Sequence, residues 1–300
     1  MTYSIVARDE ASGQMGVAVQ SHYFSVGPIC PWGEAGVGVV ATQSLVDPSY
    51  GPLGLHLMRT GKAAADSLRA LLAADPAPEV RQVAMLDQHG NVAGHTGDRC
   101  ISAAGHTLGK ASSCQANMML NASVWDAMDK AFGASQSDLA NRLLAALDAA
   151  ELEGGDIRGK QSAAILIVSA ENTGRPWVDR VMDLRVEDHP DPLLELRRLI
   201  DLKRAYEFAN DAEQVMQKEP KEGLAAFEEA MKSAPGNVEL RFWFAVSLGA
   251  VGRLDEAVDV FAQIAKSDPG WANWKELLKR LPASGLAPED PELLARLKDL

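Results

Sequence analysis

The chain has little sulfur. Its 300 residues contain three cysteines, Cys30, Cys100 and Cys114, and neither a CxxC nor an HxxxH spacing. An odd, sparse set of cysteines excludes a disulfide framework and gives no zinc-ligand pattern, so no metal site is expected. A reducing cytoplasm is the compartment this composition fits. Positive charge is also short: 29 Lys and Arg stand against 41 Asp and Glu, a net charge of -12. Neutralising phosphates needs a basic face, so a nucleic-acid partner is not expected. An anionic membrane surface is disfavoured on the same ground. No apolar run approaches the roughly 20 residues needed to span a bilayer. Neither GxGxxG nor a P-loop occurs, so a nucleotide site has no support and no cofactor is expected. No signal peptide or tag precedes the first strand.

What is present begins with Thr2-Tyr3-Ser4-Ile5-Val6-Ala7-Arg8, alternating and rich in β-branched and aromatic residues, the pattern of a strand. Methionine aminopeptidase normally removes Met1 when a small residue follows. The mature chain would then open on Thr2, a hydroxyl beside a free α-amine. That pairing is one of the few that makes Thr a nucleophile, because the amine serves as its base. Many cytosolic proteins begin Met-Thr and use the Thr for nothing, so the rest of the chain has to decide.

Ser12-Gly13 marks a turn into a second strand, Met15 to Gln20, and the two form a hairpin. Pro28, Pro31 and Gly33 read as breaks. Gly36 to Gln43 reads as a third strand whose glycines imply close backbone approach to a neighbour or a ligand. Helices follow over Leu53 to Arg59 and Ala63 to Ala73, then a hairpin of Val80 to Leu86 with Asn91 to His95. A strand over Ser113 to Met118, helices over Ser123 to Phe132 and Asp138 to Leu152, and strands over Ser162 to Ser169 and Asp179 to Val186 complete this half. Strands and helices come in segregated runs. That order predicts antiparallel sheets covered by helix pairs, an α+β layered domain over 1–190.

From His189-Pro190-Asp191-Pro192 onward the sequence reads as helix, with Asp191 as N-cap and Pro192 in the first helical position. Phe227 and Phe261 lie 34 residues apart, as do Pro235 and Pro269. That is the tetratricopeptide period, and helix pairs Lys221–Ser233 with Val238–Val251 and Asp255–Lys266 with Trp271–Leu281 fit its unit. About two repeats are visible where about three usually make a free solenoid. The region 191–300 is therefore expected to be all-α, tetratricopeptide-like, capped by the helix after Pro192 and leaning on the first domain. Such repeats can dock a protein partner.

Several residues are candidates for chemistry. Gly155 to Ser162 sets charged and amide groups between glycines before a buried strand. Asp156 and Arg158 would form an orienting ion pair, with Gln161 or Ser162 near a reacting centre; spacing alone favours a plain turn with solvated charges. Asn117 ends a strand and can donate to an oxyanion or serve as a turn amide. His22 follows the second strand, beside the start of the first.

Taken together, Thr2 to Asp9, Gly16 to Val19, Ala41-Thr42-Gln43, Asp47 to Gly51, Gln115 to Met118 and Gly154 to Ala163 resemble the bacterial and archaeal family called domain of unknown function 1028. The resemblance covers residues 1 to about 200. It implies a four-layer αββα sandwich of the N-terminal nucleophile hydrolase type. Proteasome-like hydrolases place an acid after the second strand and a lysine on a later one. Here those stretches hold Ser21-His22 and Thr42-Gln43, and no Lys lies between Thr2 and Lys62. Either His22 and Gln43 take those roles, or the site does different chemistry, or none. The leading expectation is an amidohydrolase cleaving a C–N bond of a small molecule. Its catalytic set is Thr2, His22, Gln43 and Asn117, and its substrate-binding set Asp156, Arg158, Gln161 and Ser162. A non-catalytic binding protein and a peptide hydrolase are the alternatives. A homodimer through the first domain is expected, as two-fold dimers are the commonest oligomers.

Overall fold

The computed structural model describes residues 2–216, 218–287 and 290–298. Met1, whose removal the sequence leads one to expect, lies outside them. The chain divides into two compact units, residues 1–199 and 200–300.

In the first unit the elements run β1 (Thr2–Arg8), β2 (Met15–Ser21), β3 (Pro31–Glu34), β4 (Gly38–Ser44), α1 (Tyr50–Arg59), α2 (Ala64–Ala74), β5 (Arg81–Asp87), β6 (Val92–Thr96), β7 (Gly105–Leu108), β8 (Ser112–Asn117), α3 (Val124–Ala134), α4 (Leu139–Leu152), β9 (Ser162–Val168), α5 (Pro176–Asp179) and β10 (Arg180–Val186). They form two antiparallel sheets, one of six strands in the order β10-β9-β2-β1-β8-β7 and one of four in the order β3-β4-β5-β6.

Alternation along each strand decides what faces what. Val6, Val17 and Val19 of the larger sheet meet Val39, Ala41 and Leu86 of the smaller in one apolar core. The other face of the smaller sheet, Val40, Val83 and Met85, packs on Tyr50, Leu55, Met58 and Leu68 of α1 and α2. Helices α3 and α4 lie against β1, β2 and β8.

Of the glycines of the third predicted strand, Gly36 takes a positive φ of 68° and Gly38 owes its place to a neighbouring strand. A Cβ on Gly38 would stand 2.4 Å from the Leu86 carbonyl oxygen, and one on Gly51 of α1 would stand 2.2 Å from the Trp32 ring. Two strands differ from the sequence expectation. β3 begins at Pro31, which the sequence suggested was a break; it lies at the edge of its sheet, where a residue without an N–H costs no ladder bond. β7 is the opposite case of an edge, short and half-buried, without an apolar alternation to announce it.

An ion pair ties α2 to β5. Arg81 Nε donates to Asp75 Oδ2 at 2.8 Å, and Tyr50 Oη donates to the same oxygen at 2.9 Å. The Asp75 side chain is 3% exposed. The Arg81 guanidinium, helped by the Ala77 N–H and the Tyr50 hydroxyl, lowers its carboxyl to about 2. Burial and the same carboxylate raise the Tyr50 phenol. A carboxylate with a depressed folded value stabilises the fold above its ordinary value and loses that contribution as pH falls through the folded one. Asp75→Asn is therefore expected to cost about 2 kcal/mol at neutral pH. It should also flatten the fall in stability between about pH 4 and pH 2, as read by denaturant unfolding across that range.

The helix α6 runs Pro192–Met216. In the second unit, α7 (Pro220–Lys232), α8 (Val238–Ala250), α9 (Leu254–Ser267), α10 (Trp271–Arg280) and α11 (Pro291–Arg296) follow. The period of 34 becomes visible as packing: Phe227 and Phe261, at equivalent places on α7 and α9, are both fully buried, and Phe242 stacks between Phe261 and Trp274. Asn237 caps α8 by accepting from the Leu240 N–H. No helix among the described residues is long and apolar enough to cross a membrane.

Candidate functional site

The register of the larger sheet sets four polar residues in a row across it. Thr2 pairs with Ser21 on one side and Asn117 on the other, and Ser21 pairs with Ser162. Directly opposed residues in antiparallel strands point to the same face, so Ser162, Ser21, Thr2 and Asn117 share the face turned to the smaller sheet. All four are buried; Thr2 is the most exposed, at 4%. Thr2 Oγ1 donates to Ser21 Oγ at 3.0 Å. Ser162 Oγ donates to the Tyr23 carbonyl at 2.6 Å and accepts from the Val26 N–H at 3.2 Å.

At this end the space between the sheets turns from apolar to amide. Gln43 Nε2 donates to the Thr2 carbonyl at 3.1 Å and to Gln82 Oε1 at 2.7 Å. Asn117 Nδ2 donates to Gln82 Oε1 at 2.8 Å and approaches the Thr2 carbonyl at 3.4 Å. Gln82 Nε2 lies within bonding distance of Thr96 Oγ1 and of the Ala116 and Gly105 carbonyls, at 2.9, 2.9 and 3.1 Å. Ser4 Oγ donates to Gln43 Oε1 at 2.6 Å and accepts from Gln115 Nε2 at 2.7 Å. The Asn117 Oδ1 atom stands apart: it is buried and has no donor among the described residues.

A cavity of about 50 Å³ opens beside Thr2, lined by Thr2, Tyr23, Cys30, Thr42, Gln43 and Ser44 among others, none of them charged. That is room for a few waters, well below the roughly 300 Å³ of a small-molecule pocket. Cys30 is no rival nucleophile, since burial pushes its thiol up to about 12. Tyr23, one of the lining residues, is an exposed aromatic. Among the described residues three that are not glycine take positive φ: Ser25, four residues past β2, at 56°, Ser44, the last of β4, at 74°, and Met118, next after β8, at 60°. Strain of this kind gathers where a surrounding structure has a site to hold.

Of the eight residues picked from the sequence, Thr2, Gln43, Asn117 and Ser162 come together here. The other four do not join them. His22 gives its ring Nδ1 to the Lys160 carbonyl at 3.2 Å and its N–H to Asp156 Oδ2 at 3.2 Å. Asp156 and Arg158 form the expected ion pair, with Arg158 Nε and NH2 donating to the two carboxylate oxygens at 3.0 and 2.8 Å, and the Asp156 side chain is fully shielded. Their pairing shapes the 155–159 turn, which follows α4. Gln161 reaches Asp188 at 3.2 Å. Tyr3, next to Thr2, points the other way: its hydroxyl donates to Glu151 Oε1 at 2.5 Å, and burial, then Glu151, raises the phenol well above its usual value. Sequence reading passed over Gln82, the centre of the amide cluster. Its signal was an amide at the inward-facing position of a strand whose next inward positions are Ala84 and Leu86.

The geometry defines a two-sheet α+β unit with a polar, uncharged recess at one end of its central strand, followed by a helical repeat unit. Residues 2–196 match the model of a family of unknown function, DUF1028, and residues 200–281 match a tetratricopeptide repeat model. The crystal structure of protein SPO2555 from Silicibacter pomeroyi, itself matched to DUF1028, is similar with a TM-score of 0.59 and 31% identity over 66% of this chain and 87% of that one. No curated protein matches. The chain belongs to the DUF1028 family, with a tetratricopeptide-type region after it.

Proposed function

We propose that the first unit is an N-terminal nucleophile amidohydrolase, its two sheets and two helix pairs read as the four-layer αββα sandwich of that class, and that Thr2 is its nucleophile. The observation that carries the reading is the placement of Thr2: first residue of the central strand β1, hydroxyl in a recess between the sheets, carbonyl gripped by Gln43 and Asn117. The Thr2 amine, freed by loss of Met1, takes the hydroxyl proton as Oγ1 attacks the amide carbon. Ser21, 3.0 Å from that oxygen, holds the hydroxyl in place meanwhile.

Asn117 has a different part from the one its strand-end position suggested. Its NH2 group is committed to Gln82 and the Thr2 carbonyl, so it has nothing left for an oxyanion. Backbone N–H groups take that role. The unpartnered Oδ1 is an acceptor for an N–H, that of the freed amine or of the substrate amide. An uncharged recess selects a neutral group at the scissile bond, and Tyr23 at its lining must move aside to admit it. The substrate class is a small-molecule amide.

The first test is the mass of the intact protein. It should be that of the chain beginning at Thr2; active protein that retains Met1 would sink the proposal, because an acylated amine is not a base.

For the second unit, the tetratricopeptide match supports a protein partner. A groove of about 940 Å³ between the start of α7 and the end of α8 has apolar Leu224, Ala250 and Val251 beside Lys221 and Arg253.

A further inference from the structure

Strand β1 has a second cavity at its other end. It measures about 430 Å³ and is walled by the β1–β2 turn, the β7–β8 turn and the helices α3 and α4. This volume is in the range of small-molecule sites. Three cationic side chains line it, and they are not equivalent. Lys110 Nζ lies 2.7 Å from Glu10 Oε1. Arg142 NH1 lies 3.1 Å from Asp9 Oδ1, and its guanidinium stacks 4.1 Å from the centre of the Phe132 ring. These pairs use the two acids at the rim. Arg8 has neither an ion pair nor a side-chain hydrogen bond among the described residues, and its Nε is buried without an acceptor. The Nε of Arg142 is buried without an acceptor as well.

A shielded guanidinium N–H left without a partner is costly, more so than a neutral donor. Here two such groups belong to arginines that line one cavity with room to fill. The stacked, ion-paired Arg142 is held in place before any ligand arrives. The remaining acid in the lining is Asp129. Burial, then Asp126, raises its carboxyl, against a smaller opposing effect of the Ser112 hydroxyl.

We propose that this cavity binds the oxyanion of a small molecule, a carboxylate or phosphate group, with Arg8 as its counter-charge and Arg142 Nε as a second donor. The site stands apart from any chemistry at Thr2 and does not depend on it. The shared chemistry is an anionic oxygen taken by guanidinium forks, the geometry Arg serves best.

The test uses the full-length chain labelled with nitrogen-15, titrated with inorganic phosphate and separately with acetate, each against sodium chloride at matched ionic strength. The expected result is a saturable shift of the Arg8 and Arg142 Nε–Hε resonances with at least one anion and none with chloride. A preference for phosphate identifies a tetrahedral ligand group, and one for acetate a planar carboxylate. Arg8→Gln should weaken binding about tenfold or more, the loss of one charge-assisted contact. Arg59→Gln, which removes an exposed guanidinium paired with Glu34, should leave binding unchanged. Binding of equal strength in Arg8→Gln overturns the proposal. So does the absence of a saturable shift with both anions in the wild-type chain, an outcome that requires no variant to fold.

Discussion

Thr2→Ala is expected to abolish turnover by several orders of magnitude on an amide substrate identified by screening, while leaving thermal stability nearly unchanged. The variant keeps a small second residue, so Met1 is still removed and the amine is still present. Only the hydroxyl and the γ-methyl go. The hydroxyl donates to Ser21 at 3.0 Å, one neutral bond, so the fold has little to lose, whereas loss of a nucleophile elsewhere removes most of the rate. Thr2→Ser should keep part of the rate, because oxygen and amine both remain. Two further readouts separate a nucleophile from a residue that merely shapes the recess. The rate should climb with pH as the amine loses its proton, at or below the ordinary α-amine range of about 7.7–8.0, since burial lowers such a value. A chain blocked against loss of Met1 should be as inactive as Thr2→Ala. Full activity of Thr2→Ala on a verified substrate would end the assignment of Thr2 as the nucleophile and require another group in that role.

Much of this arrangement is legible in the sequence, and the residues show why the rest is not. Period-2 alternation over Thr2–Arg8 and Met15–Ser21 marks a strand whether or not its partner is known, and the repeat of Phe227 at Phe261 marks the helical unit by its period. Edge strands escape: β3 hides behind Pro31 and β7 has little apolar surface to bury. The site divides along the same line. Thr2, Asn117 and Ser162 sit at strand ends, and strand ends that share a register come together, so local position sufficed for them. His22 looked equally well placed, since it directly follows Ser21. Its ring went instead to the Lys160 carbonyl, a partner 138 residues away that no local pattern reveals. Gln82 is legible only once the inward face of β5 is known, because an amide in a strand reads as surface until something is shown to cover it.

Gln82→Leu should be the most destabilising single change in the first unit away from its apolar core. The substitution nearly preserves volume and would cost little if Gln82 only filled space. Instead its carboxamide joins both sheets: Oε1 accepts from Gln43 and Asn117, and Nε2 serves Thr96 and the Ala116 and Gly105 carbonyls. Gln82 is fully buried, so no water replaces it where it stands. Leu at this position leaves the second N–H of Gln43 only the Gln115 carbonyl at 3.4 Å and strands the better-placed N–H of Asn117, along with carbonyl oxygens of β7 and β8. Each buried group left unpaired costs about 1–3 kcal/mol, and relaxation recovers some of it. A net loss of about 3–5 kcal/mol follows, or about 10 °C in the midpoint of a unit this size. Calorimetry of the full chain, followed in the transition that Thr2-proximal sheet amides report by hydrogen exchange, measures it. The sign of the coupling is the stricter test. Gln43→Leu combined with Gln82→Leu removes donor and acceptor together, so the pair should cost clearly less than the two single changes added. If the costs simply add, the amides are not one network, and the grip on the Thr2 carbonyl that the proposed mechanism requires would rest on Gln43 alone.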